Sequence, residues 1–300
     1  MERIWGGREL ETHFGKRLPA DKRIGESWEI VDREEAQSVV RDGPLRGKTL
    51  HELWTQHRHE IFGNVADSPR FPLLAKLIGA REKLSLQVHP PAAVAEKLGS
   101  EPKTELWYIV EAKPGAEIFA GLRRGATREQ FESAVRNGSA ADLVHRIKVK
   151  SGDAMFMPSG RLHTMGAGVL IAEIQQNSDT TYRVFDWNRL GADGKPRRLH
   201  VDESLRSIDF NDFEPELVRA KGETLVRDPA FVIEKWELTS QREAVPIGEF
   251  AILCCLSGEV ECAGARFKTG EFFLVPAALQ NRHLHPRGEA TTLLRVTIPV

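Results

Sequence analysis

Three polar residues alternate with apolar ones between Lys83 and His89, and this spacing is the first sign of chemistry in the sequence. The stretch reads Lys-Leu-Ser-Leu-Gln-Val-His. Because successive side chains of a β-strand point to opposite faces, a strand here would place Ser85, Gln87 and His89 on one face. Burying such groups without partners costs roughly 1–3 kcal/mol each. A bound metal ion would provide the missing partner.

Two residues further along the chain carry suitable donor groups as well. Glu105 opens the run Glu-Leu-Trp-Tyr-Ile-Val, and His163 follows a turn that contains proline and glycine. With Gln87 and His89 they provide two imidazoles, one carboxylate and one amide oxygen. This donor set suits zinc or a similar divalent ion with an open coordination position.

The spacing around His163 resembles the second motif of the cupin β-barrels. Gly152, Pro158 and Gly160 precede the histidine at the intervals of that motif, in which a tight turn delivers a histidine into the barrel. Histidines without such a setting are interpreted as surface or capping residues; examples are His13, His145 and His200.

The first cupin motif is altered in this chain. Gln87 stands in place of its first histidine, and a helix-sized insertion, residues 91–98, separates His89 from Glu105. This departure points away from generic cupins.

Strand-like runs separated by Gly, Pro and Asp dominate the sequence, which predicts a mainly β fold of tandem jelly-roll barrels with a few decorating helices. One helix is predicted to begin at Thr127, with Gln130 as capping-box partner and Gly138 as its stop. The other predicted elements are helices 49–62 and 91–98 and strands 83–89, 106–111, 116–120, 154–157, 168–176, 182–187 and 250–256.

A weak internal repeat supports the tandem arrangement. Residues 152–158 and 270–276 both read glycine, an acidic residue, four largely apolar positions and proline. The predicted domains are 1–210, which is catalytic, metal-binding and decorated with helices, and 211–300, which is cupin-like. Because Asn281 stands at the position of the first barrel's histidine, the second barrel is predicted to lack metal ligands and to act as support.

The charge balance excludes several classes of partner. Lys plus Arg number 42 and Asp plus Glu number 43, so no global field attracts nucleic acid or an anionic membrane. The first residues contain no long apolar run, and the three cysteines have no zinc-binding spacing. We therefore expect a cytoplasmic protein, monomeric or homodimeric, that meets an anionic small molecule with local cations.

Several longer motifs resemble those of the type I phosphomannose isomerases, of the compact bacterial branch. They are found in the expected order over almost the whole chain, at 4–7, 24–29, 83–90, 103–109, 158–163 and 173–187. The resemblance implies an enzyme of carbohydrate metabolism that interconverts mannose 6-phosphate and fructose 6-phosphate through an enediol(ate). It also implies one zinc ion per chain, or another divalent metal, with Gln87, His89, Glu105 and His163 as ligands.

The remaining site residues are candidates of two kinds. Lys103, in a Lys-Thr-Glu motif that matches the family, and Glu173, a carboxylate in an apolar strand, are the acid/base candidates. Arg183 is suited to transition-state and phosphate contacts. Ser85 and Lys83 are the other predicted substrate contacts.

Alternatives remain open at this point. Arg183 could instead form an ion pair with Asp186 or Asp179. Two histidines and a carboxylate also describe the metal site of iron(II) oxygenases, and a non-catalytic sugar-binding cupin would keep the fold without the chemistry.

Overall fold

The computed structural model describes residues 1–190 and 194–299 of the chain. Its strands are β1 Glu2–Gly7, β2 Glu26–Ile30, β3 Asp32–Arg33, β4 Ala36–Gln37, β5 Leu73–Ala80, β6 Leu86–Val88, β7 Glu105–Ala112, β8 Glu117–Leu122, β9 Val144–Lys148, β10 Ala154–Met157, β11 His163–Met165, β12 Val169–Gln176, β13 Tyr182–Phe185, β14 Thr224–Arg227, β15 Val232–Leu238, β16 Arg242–Glu243, β17 Ala251–Cys262, β18 Ala265–Lys268, β19 Phe272–Val275 and β20 His283–Thr297.

Six short helices decorate these strands in the part of the chain that the structure describes. They are α1 Glu9–Phe14, α2 Leu50–Gln56, α3 Arg58–Phe62, α4 Ala92–Leu98, α5 Arg128–Asn137 and α6 Val201–Ser207, with a 3₁₀ turn at Ala140–Leu143. Within the described residues, no helix has the length and apolar character needed to cross a membrane.

Two five-stranded sheets build the part of the chain that matters for the site. One has the order β10-β7-β12-β5-β2 and the other β13-β6-β11-β8-β9. Trp107 and Ile171 from the first sheet pack in one apolar cluster with Ile118 and Met165 from the second. The sheets therefore share a core, as in a jelly-roll barrel.

The chain divides into two compact units, Met1–Ser27 with Lys76–Leu217 and Trp28–Ala75 with Val218–Val300. Within the second unit, the backbone N–H groups of Ala277 and Ala278 donate to the carbonyls of Ile61 and Glu60. These bonds explain why residues 28–75 group with the C-terminal part. The boundary predicted between residues 210 and 211 instead assigns residues 28–75 to the N-terminal domain. The roles predicted for the two domains stay predictions.

The second unit contains a seven-stranded sheet of order β14-β15-β20-β17-β18, with β16 paired to β20 and β19 to β17. Its interior cluster is apolar and includes Trp236 and Leu253. Asn281 is exposed. The supporting role of this unit stays a prediction.

The predicted helix at Thr127 is confirmed, together with its capping box and the left-handed Gly138 that ends it. The strand predicted at 83–89 is shorter, because β6 begins only at Leu86. The Leu84 carbonyl accepts its hydrogen bonds from side chains rather than from a neighbouring strand: Thr164 Oγ1 and Trp187 Nε1 donate to it at 3.0 and 2.6 Å.

Candidate functional site

Three neighbouring strands align one residue each at the centre of the site. Gln87 on β6 lies opposite His163 on β11 and, on the other side, opposite Arg183 on β13. His89 directly follows β6, and Glu105 is the first residue of β7. Strand register thus gathers side chains that are far apart in the sequence.

Three of the predicted ligands converge closely. One donor atom from each of His89, Glu105 and His163 lies within 4.8 Å of the others. Both histidine Nε2 atoms are 3.5 Å from a Glu105 oxygen, and Gln87 Nε2 is 3.3 Å from His163 Nε2. Because amide oxygen and nitrogen are exchanged by a simple flip, Gln87 can equally present its oxygen there.

Both imidazoles are held with the same ring nitrogen facing the cluster. His89 Nδ1 contacts the Thr180 carbonyl at 2.8 Å, and His163 Nδ1 contacts the Arg161 carbonyl at 2.9 Å. A carbonyl only accepts, so each Nδ1 carries the proton and each Nε2 presents a lone pair. Such outer contacts are typical of metal-binding histidines.

Electrostatics keep these rings neutral. Burial, with the nearby Lys103 ammonium, holds the pKa of His89 well below its ordinary value. Burial also lowers the pKa of His163 to about 4. At neutral pH both rings are therefore in the form that binds a metal ion.

The buried carboxylate of Glu105 lies in surroundings that favour a cation beside it. It is fully buried, and neither oxygen accepts a well-aligned hydrogen bond from the residues that the structure describes. Lys103 Nζ contacts Oε2 at 2.6 Å. Burial lowers the pKa of Lys103, but Glu105 and Glu173 more than offset this effect and the pKa is raised. The described residues thus fit a metal ion, which would complete the surroundings of this carboxylate.

A second buried carboxylate lies beside the first. Glu173 Oε1 accepts a hydrogen bond from Trp107 Nε1 at 3.0 Å. Its Oε2 is 3.4 Å from Lys76 Nζ and 3.9 Å from Lys103 Nζ. Burial and the charge of Glu105 raise its pKa. Two ammonium groups and two carboxylates therefore form one buried charge network.

A cavity of about 330 Å³ opens onto this network, and Gln87, Lys103, Glu173, Ser85 and Arg183 line it. Arg183 Nε donates to Ser85 Oγ at 3.2 Å, and Ser85 Oγ donates to Gln87 Oε1 at 3.4 Å. Burial and Arg197 lower the pKa of Arg183. Of the four predicted metal ligands, only Gln87 lines the cavity. Ser85 therefore connects the edge of the ligand cluster, at Gln87, with the cationic end of the cavity, at Arg183.

Two alternatives for the cationic residues can now be compared with the geometry. Within the described part of the chain, Arg183 makes no ion pair with Asp186 or Asp179, and Asp186 pairs with Arg189 and Arg197 instead. Lys83, which was predicted as a substrate contact, does not line the cavity. It is exposed, and its ammonium lies 4.7 Å from the centre of the Trp187 ring.

Several cavity residues were not anticipated from the sequence. Lys76 carried a usable signal, because it is a lysine within the apolar run of β5. Arg197 and His200 carried none, since they come from an irregular segment. His200 does occupy the capping position of α6, as interpreted, but it also lines the cavity.

Comparison with known proteins identifies the family. The model of the phosphomannose isomerase type I catalytic domain matches residues 1–108. Mannose-6-phosphate isomerase ManA of Bacillus subtilis is 38% identical over 292 residues, which cover 93% of this chain and 91% of ManA.

Solved structures agree with this assignment. The crystal structure of the mannose 6-phosphate isomerase from Bacillus subtilis matches with a TM-score of 0.88 and 34% identity over 99% of this chain and 97% of that one, which confirms the predicted fold class. A mannose 6-phosphate isomerase bound with zinc and yttrium shares the fold, with a TM-score of 0.76, 17% identity and coverage of 100% of this chain and 97% of that one. The chain therefore belongs to the type I phosphomannose isomerase family of enzymes.

Proposed function

We propose that this enzyme interconverts mannose 6-phosphate and fructose 6-phosphate, with one zinc ion per chain. The names of its relatives give the substrate, and the zinc in one structure of the same fold favours that metal. The observation that carries the proposal is the convergence of His89, Glu105 and His163 within 4.8 Å. A cytoplasmic location and a monomeric or homodimeric state remain predictions.

Gln87, His89, Glu105 and His163 would hold the ion. Two neutral imidazoles, one carboxylate and one amide suit zinc and leave a coordination position for substrate. When bound, a divalent ion supplies electrostatic stabilisation of the oxygen charge that develops in an enediol(ate).

The protein's own side chains would carry the remaining steps. Glu173 and Lys103 line the cavity, with Lys103 Nζ 3.9 Å from Glu173 Oε2. They form the proposed acid/base pair for proton transfer between C1 and C2 of the sugar. Arg183 would bind the phosphate and orient the sugar, and its guanidinium is already held by Ser85. Both Glu173 and Lys103 are almost fully buried, which would limit the access of bulk water to the proton that they transfer.

The test is a coupled assay with mannose 6-phosphate on purified protein before chelation, after chelation and after zinc is returned. We expect activity to disappear and then return. His163→Ala should lose nearly all activity and its bound zinc, whereas His59→Ala, a change of an exposed histidine, should retain both. Undiminished turnover after complete metal removal would contradict the metal role, and oxygen uptake during turnover would favour the oxygenase alternative.

A further inference from the structure

The segment 197–200 is fastened to β13 next to the cationic end of the cavity. His200 N–H donates to the Arg183 carbonyl at 2.7 Å, and Arg183 N–H donates to His200 Nδ1 at 3.3 Å. The Arg183 side chain donates through Nη1 to the Arg198 carbonyl at 3.1 Å. These three bonds fix both the segment and the direction of the Arg183 guanidinium.

The same contacts determine what His200 offers to a ligand. Since its Nδ1 accepts the N–H of Arg183, the neutral ring carries its proton on Nε2. A second proton, on Nδ1, would oppose that N–H group. Burial and the charge of Arg183 also lower the pKa of His200. His200, which lines the cavity, therefore provides an N–H donor without a charge of its own.

Positive charge is in excess at this corner. Arg197 binds Asp186 through Nε and Nη2 at 2.7 and 2.6 Å, and Arg189 binds the same carboxylate at 2.6 Å. Arg183 has no carboxylate within ion-pair distance among the residues described, so Asp186 pairs with only two of the three guanidinium groups, those of Arg189 and Arg197. Counted over these four described side chains, Arg183, Arg189, Arg197 and Asp186, the net charge is +2, which matches a phosphate monoester dianion; Arg183 and Arg197 line the cavity itself.

Other charged groups of the cavity lie outside this corner. Arg3 is paired with Glu26 at 2.8 Å. Asp179 lines the cavity but is exposed, and water therefore screens its charge. Neither changes the local excess around Arg183.

We infer that Arg197 and His200 complete, with Arg183 and Ser85, a binding corner for the phosphate monoester group of the substrate. Arg197 contributes charge while Asp186 holds it in place, and His200 contributes one directed N–H. The inference rests on the proposed function for the identity of the sugar. The preference for a dianion at this corner follows from the side chains alone.

The experiment combines kinetics with direct binding. Calorimetry measures the Kd of inorganic phosphate at pH 8 for the zinc-loaded parent, Arg197→Met, His200→Ala and Arg206→Met. Arg206 is exposed on α6 and is absent from the cavity lining, so its variant removes the same charge elsewhere. The coupled assay gives KM and kcat for mannose 6-phosphate on the same four proteins.

Arg197→Met and His200→Ala should each raise both the Kd and KM by about tenfold or more, as expected for the loss of a hydrogen bond to a charged group. We expect kcat to change by less than about threefold, and Arg206→Met to match the parent. His200→Gln, which keeps an acceptor for Arg183 and an N–H donor, should recover much of the loss. This variant separates binding from folding defects.

The two hypotheses fail in different ways. If the parent isomerises mannose 6-phosphate but both variants keep the parental Kd and KM, the binding corner is refuted while the proposed function stands. If the parent binds phosphate and the variants do not, but no isomerisation occurs, the corner stands and the proposed function is refuted. A fall in kcat with unchanged KM and Kd would also overturn the inference.

Discussion

Lys76 gives the sharpest test of the buried charge network, because it is a lysine only 3% exposed in the middle of an apolar strand. Its Nζ is 3.4 Å from Glu173 Oε2. At an effective dielectric constant of about 20, this separation corresponds to an attraction of about 5 kcal/mol, before any desolvation is counted. Lys76→Met removes the charge but keeps most of the side-chain volume.

The net loss in Lys76→Met should be smaller than the full attraction. Removing Lys76 also removes its own desolvation penalty, and Lys103 remains 3.9 Å from Glu173. In addition, the pKa of Glu173, already raised by burial and Glu105, rises further when Lys76 is removed, so the carboxyl can take up a proton. We therefore expect the free energy of unfolding to fall by about 3 kcal/mol at pH 7.5.

The measurement is urea unfolding of four proteins: the parent, Lys76→Met, Glu173→Gln and the double variant. If the pair is coupled, the double variant should be about 2 kcal/mol more stable than the sum of the single changes implies. Lys97→Met removes an exposed lysine on α4 and should change stability by less than about 0.5 kcal/mol. A loss below about 1 kcal/mol in Lys76→Met, or strict additivity in the cycle, would refute the reasoning.

Three other perturbations test the fold around the site. Thr127→Ala removes the side-chain acceptor of the Gln130 N–H in the capping box and should lower the free energy of unfolding by about 1 kcal/mol in chemical denaturation; an unchanged midpoint would contradict this. Gly121→Ala should destabilise by more than about 2 kcal/mol, because residue 121 has a φ of 68° and its new Cβ would lie 2.5 Å from Pro215 Cδ; a parental melting temperature would disprove it. Hydrogen bonds to Arg197 and Arg189 outweigh burial and lower the pKa of Asp186 below 3.8, so its stabilisation is complete above that pH and is lost as the pH falls through the folded-state pKa. The melting temperature of Asp186→Asn should therefore lie below the parental value at pH 7, and the gap should narrow as the pH falls below 3.8; a constant gap would argue against the assignment.

Local signals in the sequence were sufficient for many of the elements around the site and for the candidate residues of the central cluster. The alternation around Gln87 placed it correctly beside the histidines, even though β6 is shorter than expected. The turn before His163 and the capping box at Thr127 were equally local. The convergence of Gln87 and His163 in the structure follows from strand register. The role of the cluster as a metal site stays a prediction.

The rest depended on long-range packing, which no local pattern encodes. Lys83 and Ser85 are two residues apart and both precede β6, and yet only Ser85 lines the cavity, whereas the Lys83 ammonium lies over the Trp187 ring. His200 is held at the cavity by hydrogen bonds with Arg183 of β13, 17 residues earlier in the chain, and Arg197 by hydrogen bonds to Asp186, which directly follows β13 and lies 11 residues earlier. The grouping of residues 28–75 with the C-terminal part likewise arises from backbone bonds between distant segments.

Arg183, Gln87 and His163 are aligned on adjacent strands, so the spacing of these strands limits the length of the substrate that can contact both Arg183 and His163. Neighbouring strands are about 4.8 Å apart, so the outer two backbones are separated by roughly 10 Å, and ladder hydrogen bonds keep that interval from adjusting. A sugar phosphate with its carbonyl at one end and its phosphate at the other must therefore be long enough to span this fixed distance. We therefore expect six-carbon phosphosugars to be selected over three-carbon ones by span alone.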